Sequence, residues 1–161
     1  MRKTLMGCTA LLLTLSGLAH AQGQPAKLPA IEAFGKGAQI YTCAATNGSY
    51  AWKLKAPDAK LLDAKGNVIG KHFAGPSWQA TDGSTVVGEP LNASPSPDVR
   101  SIAWLVLHAK SHEGNGQMST VQYIVRTRTE GGVAPATGCD AAHADSEVRV
   151  PYSAVYLFFR C

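Results

Sequence analysis

His72, Trp78 and Asp82 fall in one short stretch and are the side chains of this sequence best suited to hold a ligand. An indole offers a flat face to a sugar ring or other planar group, and an imidazole and a carboxylate supply hydrogen bonds around it. Gly75-Pro76 sets a bend between the first two. The alternative to binding is a secreted hydrolase using His72 with Asp82 or another carboxylate. A third reading gives the residues structural work only. Trp78 is then core, Asp82 belongs to an Asp-Gly turn, and His72 caps a strand end.

The other reactive side chains form no recognisable constellation. His108 and His112 have the spacing of two ligands on one helix face, but they lie at the end of an apolar strand entering a Gly-rich turn. His143 stands alone in a polar loop. No metal site is therefore expected. A Gly-x-Ser-x-Gly elbow is absent, and Asp58, Asp63, Asp82, Asp98, Glu113, Asp140 and Asp145 fall mainly at turns. No residue is assigned as catalytic. Arg126 and Arg128 share a strand parity, so both are expected on one face, where they could bind an anion or simply meet solvent.

Residues 1–21 read as a secretory signal peptide. Arg2 and Lys3 are the basic start, Cys8 to Leu18 the apolar core, and Ala19-His20-Ala21 the small-x-small cleavage site. The apolar core is too short for a bilayer span, and no later stretch is long enough. Cleavage leaves residues 22–161 and lowers the formal charge from +4 to +2, which gives no electrostatic case for nucleic acid. Cys43, Cys139 and Cys161 remain. In an oxidising periplasmic or extracellular setting two should pair. The expected disulfide is Cys43–Cys139, since Cys161 is the last residue and frays most easily. Cys139–Cys161 stays open as an alternative.

The elements that must position these residues are strands. Residues 22–36 read as a leader segment and 37–161 as one β domain. Ala38 to Cys43, Tyr50 to Lys55 and Met118 to Thr129 show strand composition or period-two alternation, and Val148 to Phe159 closes the chain. Pro57 is expected to end the second strand. Hairpins are expected around Lys65-Gly66-Asn67 and Asp82-Gly83, and Leu91 to Asp98 reads as a loop. The apolar run Ile102 to Leu107 reads as a strand buried on both faces. Gly/Pro turns at short spacing, with no amphipathic helix, predict an all-β fold, an antiparallel β-sandwich or barrel.

Several motifs in order carry a family resemblance. They are Tyr41-Thr42-Cys43, Trp52 with Ala56-Pro57-Asp58-Ala59, Gly70-Lys71-His72-Phe73-Ala74-Gly75-Pro76-Ser77-Trp78, and Asp82-Gly83-Ser84. Thr129-Glu130-Gly131-Gly132-Val133-Ala134-Pro135, Gly138-Cys139 and Val150-Pro151-Tyr152-Ser153-Ala154 complete the set. Together they resemble a family of secreted bacterial and fungal proteins classed as a domain of unknown function. The resemblance implies export and a single domain but no activity. Some fungal relatives carry a malate dehydrogenase label. The nicotinamide fingerprint is missing here, because Gly35-Lys36-Gly37 and Gly114-Asn115-Gly116 lack a third glycine and a following helix. No cofactor is expected. The sequence thus points to a non-enzymatic exported β-domain binding a small molecule, a glycan or an envelope protein. A stress- or virulence-related interaction protein is a further alternative.

Overall fold

The structure, a computed structural model, describes residues 28–160. The proposed signal peptide, Cys8 and Cys161 lie outside them. Eight antiparallel strands run in sequence order around a closed barrel: β1 Ile31–Thr46, β2 Ser49–Leu62, β3 Val68–Phe73, β4 Ser77–Ala80, β5 Thr85–Ser94, β6 Trp104–Glu113, β7 Val121–Gly131 and β8 Glu147–Arg160. β8 pairs back onto β1 and closes the ring. The fold is all-β, as expected, and of the two architectures it is the barrel. An eight-stranded barrel is just wide enough to be filled by side chains or to hold one small ligand. Here the lower part is filled by Leu61, Trp78, Val86, Leu107, Ile124, Tyr156 and Phe158.

Three strand expectations need correction, each for a physical reason. β1 begins at Ile31, inside the segment read as a leader. Its inward residues there are Ala33 and Gly35, too small to register as a hydrophobic pattern, because the Tyr156 ring fills the space beside Gly35. Pro57 does not end β2, which continues to Leu62. The proline sits beside a bulge at which Lys55 is the extra residue, where β2 is paired on the β1 side alone, so a missing ladder donor is tolerated. Likewise β5 runs through Pro90 to Ser94, within the expected loop.

Two further readings change with barrel closure. The apolar run before Leu107 is buried on one face only, since a barrel wall has a single inner side; Leu107 points inward and Val106 is exposed. Met118 lies before β7 rather than in it, and plugs the lower end of the barrel. That plug is latched to the β4–β5 turn: Asp82 accepts from the Gln117 amide at 2.8 Å, and Ser84 Oγ accepts from the Met118 amide at 3.0 Å.

The upper end is closed by the β7–β8 connection. Tyr41 donates its hydroxyl to the Gly132 carbonyl at 2.6 Å, and a disulfide joins Cys43 near the top of β1 to Cys139 in that connection. The Trp52 indole donates to the Thr137 carbonyl of the same segment.

Candidate functional site

The wall of the barrel is incomplete on one flank. β3 and β4 turn back at Ala74-Gly75-Pro76, so β3 pairs with β2 only over Ala59–Leu62. On the other side β4 meets β5 only over Thr85–Val87. Above this short hairpin β2 and β5 each have one neighbour, and a cavity of about 360 Å³ opens between them. Its apolar sides come from Leu54 and Pro57 of β2, Pro76 of the hairpin turn, Pro90 of β5 and Leu105 of β6. Its polar groups come from Gln39 of β1, His72 of β3 and Arg126 of β7, and from the exposed Lys55 of β2, whose ammonium is paired with Glu147 of β8.

His72 and Trp78 are brought together, but facing inward. They are cross-strand partners on β3 and β4, 3% and 1% exposed, with parallel rings 4.4 Å apart. Tyr156 meets both rings edge-on. Trp78 therefore presents no free face to a sugar and belongs to the core. His72 reaches the cavity floor. Its Nδ1 lies 2.8 Å from the Ser77 carbonyl, which can only accept, so the ring proton sits on Nδ1 and Nε2 is a bare acceptor. Burial pushes its pKa down to about 4; the Ser77 hydrogen bond opposes this, and the Arg126 charge adds to it. The ring is neutral at pH 7.

Asp82 is not part of this site. It lies at the other end of β4, where it accepts from the Ser84 amide and hydroxyl and from the Gln117 amide. Those bonds hold its carboxyl below the usual range, the Ser84 hydroxyl first. No hydrogen bond links it to His72. Among the described residues the other histidines also stay apart: His108 packs edge-on to Tyr123, His112 bonds the Val121 carbonyl, and His143 bonds Asp140.

Two residues of the cavity were weakly signalled or missed. Arg126 and Arg128 do not share a face. A bulge between Thr127 and Glu130, with Arg128 at φ 47°, reverses the alternation, so Arg128 is exposed while Arg126 points inward opposite Tyr156. The parity of Arg126 with the core residue Ile124 was the usable signal. Its guanidinium donates through Nε and Nη2 to the Ala103 carbonyl at 3.0 and 2.8 Å. Among the described residues, the ion pairs are Lys55–Glu147, Arg100–Asp98, His143–Asp140 and Arg149–Asp58, and Arg126 is in none of them. Gln39 is 2% exposed, and its Oε1 has no hydrogen-bond partner. Nothing in the sequence marked Gln39, because a glutamine in a strand reads as an outward residue.

The surrounding hydroxyls complete the polar layer. Tyr152 and Tyr156 share a hydrogen bond of 3.1 Å. Burial raises the pKa of Tyr41, Tyr152 and Tyr156, so all three stay protonated. Apart from Lys55, which is paired with Glu147, the layer is therefore one permanent cation among neutral groups. Such a set can bind and orient, and it holds no carboxylate for acid–base work.

A family model described as protein of unknown function (DUF3455) matches residues 25–160, and the chain belongs to that family. No curated protein and no solved structure matches the chain.

Proposed function

We propose that this member of the family is an exported, non-enzymatic binding protein that holds a small molecule in the flank cavity of its barrel. The observation that carries the reading is Arg126, a guanidinium turned into the barrel with no carboxylate partner among the described residues. A partly buried cation is costly unless its charge is compensated, and a bound ligand would compensate it. A cavity of about 360 Å³ lies at the small end of the range for small-molecule sites, and its apolar walls with a few convergent polar groups fit such a role. A glycan is less well served, because no indole is among the residues lining the cavity and Trp78, beside His72, has its face taken by that ring.

The hydrolase alternative finds no support in the placement of its residues, since the His72 Nδ1 is occupied by Ser77 and Asp82 by the opposite turn. Export to the periplasm or beyond rests on residues 1–21, and the Cys43–Cys139 disulfide is compatible with that compartment. No helix among the described residues is long and apolar enough to cross a membrane.

A thermal-shift screen of small molecules against the oxidised protein tests the binding reading. Ala74→Trp, on the exposed turn at the rim, serves as the blocked control. The expected result is a compound that raises the midpoint of the natural chain and loses its effect on the variant. Compounds that act equally on both, or that are chemically consumed, would overturn it.

A further inference from the structure

We propose that the ligand of the flank cavity is a small organic acid carrying a hydroxyl, its carboxylate on Arg126 and its hydroxyl donating to Gln39 or His72. This rests on the binding reading above and goes beyond it by assigning charge and hydrogen-bonding polarity. The argument begins with what the cavity lacks. Of its two cations Lys55 is paired with Glu147, whereas Arg126 is in no ion pair among the described residues and has only the Ala103 carbonyl as a backbone acceptor, with the Tyr156 hydroxyl beside it. The Nη1 end of the fork therefore has no charged partner among the described residues. A planar carboxylate fits a guanidinium edge with two parallel hydrogen bonds, which a single amine or hydroxyl does not.

The charge count narrows the anion. One guanidinium balances one negative charge. A phosphate near neutral pH brings closer to two, and the excess would face Leu54, Pro57 and Leu105 in an apolar wall. A monoanionic carboxylate leaves no such excess.

The other polar atoms of the cavity ask for the opposite partner. Gln39 Oε1 is a buried acceptor without a donor, and the bare Nε2 of His72 is an acceptor as well. Two acceptors and the Arg126 cation describe a ligand with an acid at one end and an O–H at the other. A buried acceptor left unsatisfied costs stability, so the donor is recognised as well as tolerated.

The experiment uses 4-hydroxybenzoate, benzoate, 4-hydroxybenzyl alcohol and inorganic phosphate as probes, each titrated into the isotope-labelled oxidised protein and followed by amide NMR shifts. The expected outcome is that 4-hydroxybenzoate moves the amides around Ala74, Leu105 and Arg126 and binds most tightly. Arg126→Met should weaken it about tenfold or more, the size expected for losing a charge-assisted pair. Arg126→Lys, which keeps the charge without the fork, should fall between, and it serves alone if the Met variant does not fold. Gln39→Leu should abolish the preference for 4-hydroxybenzoate over benzoate. Equal or tighter binding of the neutral alcohol, or of phosphate, would overturn the ligand class while leaving the cavity a binding site. If no probe moves these amides, the ligand class is likewise overturned, and the compound screen with Ala74→Trp decides the binding reading separately.

Discussion

At the scale of single residues, His72 is the side chain whose setting makes the firmest prediction. The folded chain accepts it only neutral, with its pKa pushed from the ordinary 6.5 to about 4, chiefly by burial. The unfolded chain therefore binds the extra proton first as pH falls. Stability from this group is complete above about pH 6.5 and is lost progressively toward pH 4, about 3 kcal/mol in all. Urea midpoints at pH 7 and 4.5 should show this loss in the natural chain, and His72→Phe should be markedly flatter; parallel pH profiles would contradict it. The core reading of Trp78 was open in the sequence beside the binding one, whereas the inward direction of His72, read there as capping a strand end, was not. Both rings sit at inward positions of a two-strand unit, and a short hairpin signals its turn more clearly than its inner face. Asp82 was legible as a turn residue from Asp-Gly alone. Its hold on Gln117 was not, because that contact crosses 35 residues.

At the scale of elements, most strands announced themselves through alternation, and the errors cluster where alternation is interrupted. Pro57 and Pro90 look like strand ends in a sequence. Both are tolerated because the strands that hold them lack a second neighbour at that height. The bulge in β7 is the element on which the candidate site depends, since it separates Arg126 from Arg128. It was invisible to parity, which assumes an unbroken strand. The start of β1 was missed because close packing there demands the absence of side chains. At Gly37, an added Cβ would run into the Asp58 carbonyl and Ala59 of β2, which are backbone and cannot turn aside. Gly37→Ala should therefore destabilise the protein by about 2 kcal/mol or more, measured by urea unfolding. An unchanged midpoint would mean that β1 and β2 separate more easily than their pairing indicates.

At the scale of the whole molecule, the all-β class followed from turn chemistry and strand spacing, while closure did not. Nothing local tells a chain whether its last strand pairs with its first, and here 12 residue pairs between β1 and β8 make that join. The disulfide was legible for a simpler reason, since removal of the expected signal peptide would leave three cysteines and few pairings. Cys43 and Cys139 are 96 residues apart, so the bridge restricts much of the unfolded chain. Reduction should lower stability by about 4–5 kcal/mol in the chain-entropy treatment, read from denaturation with and without reductant. A loss below about 1 kcal/mol would indicate that the upper connection is held by Tyr41 and Trp52 instead.

The short β3–β4 hairpin has a consequence for how the protein behaves in a crowd. By leaving the flank open, it exposes two strand margins whose peptide groups could accept a strand from another molecule, the usual first step toward insoluble assemblies. Both margins are blunted in the sequence: Pro57 with Lys53 and Lys55 on one, Pro90 with Glu89 on the other. The prolines that disguised these strands are the residues that keep the opening from being occupied by a neighbouring chain, so that it stays free for something smaller.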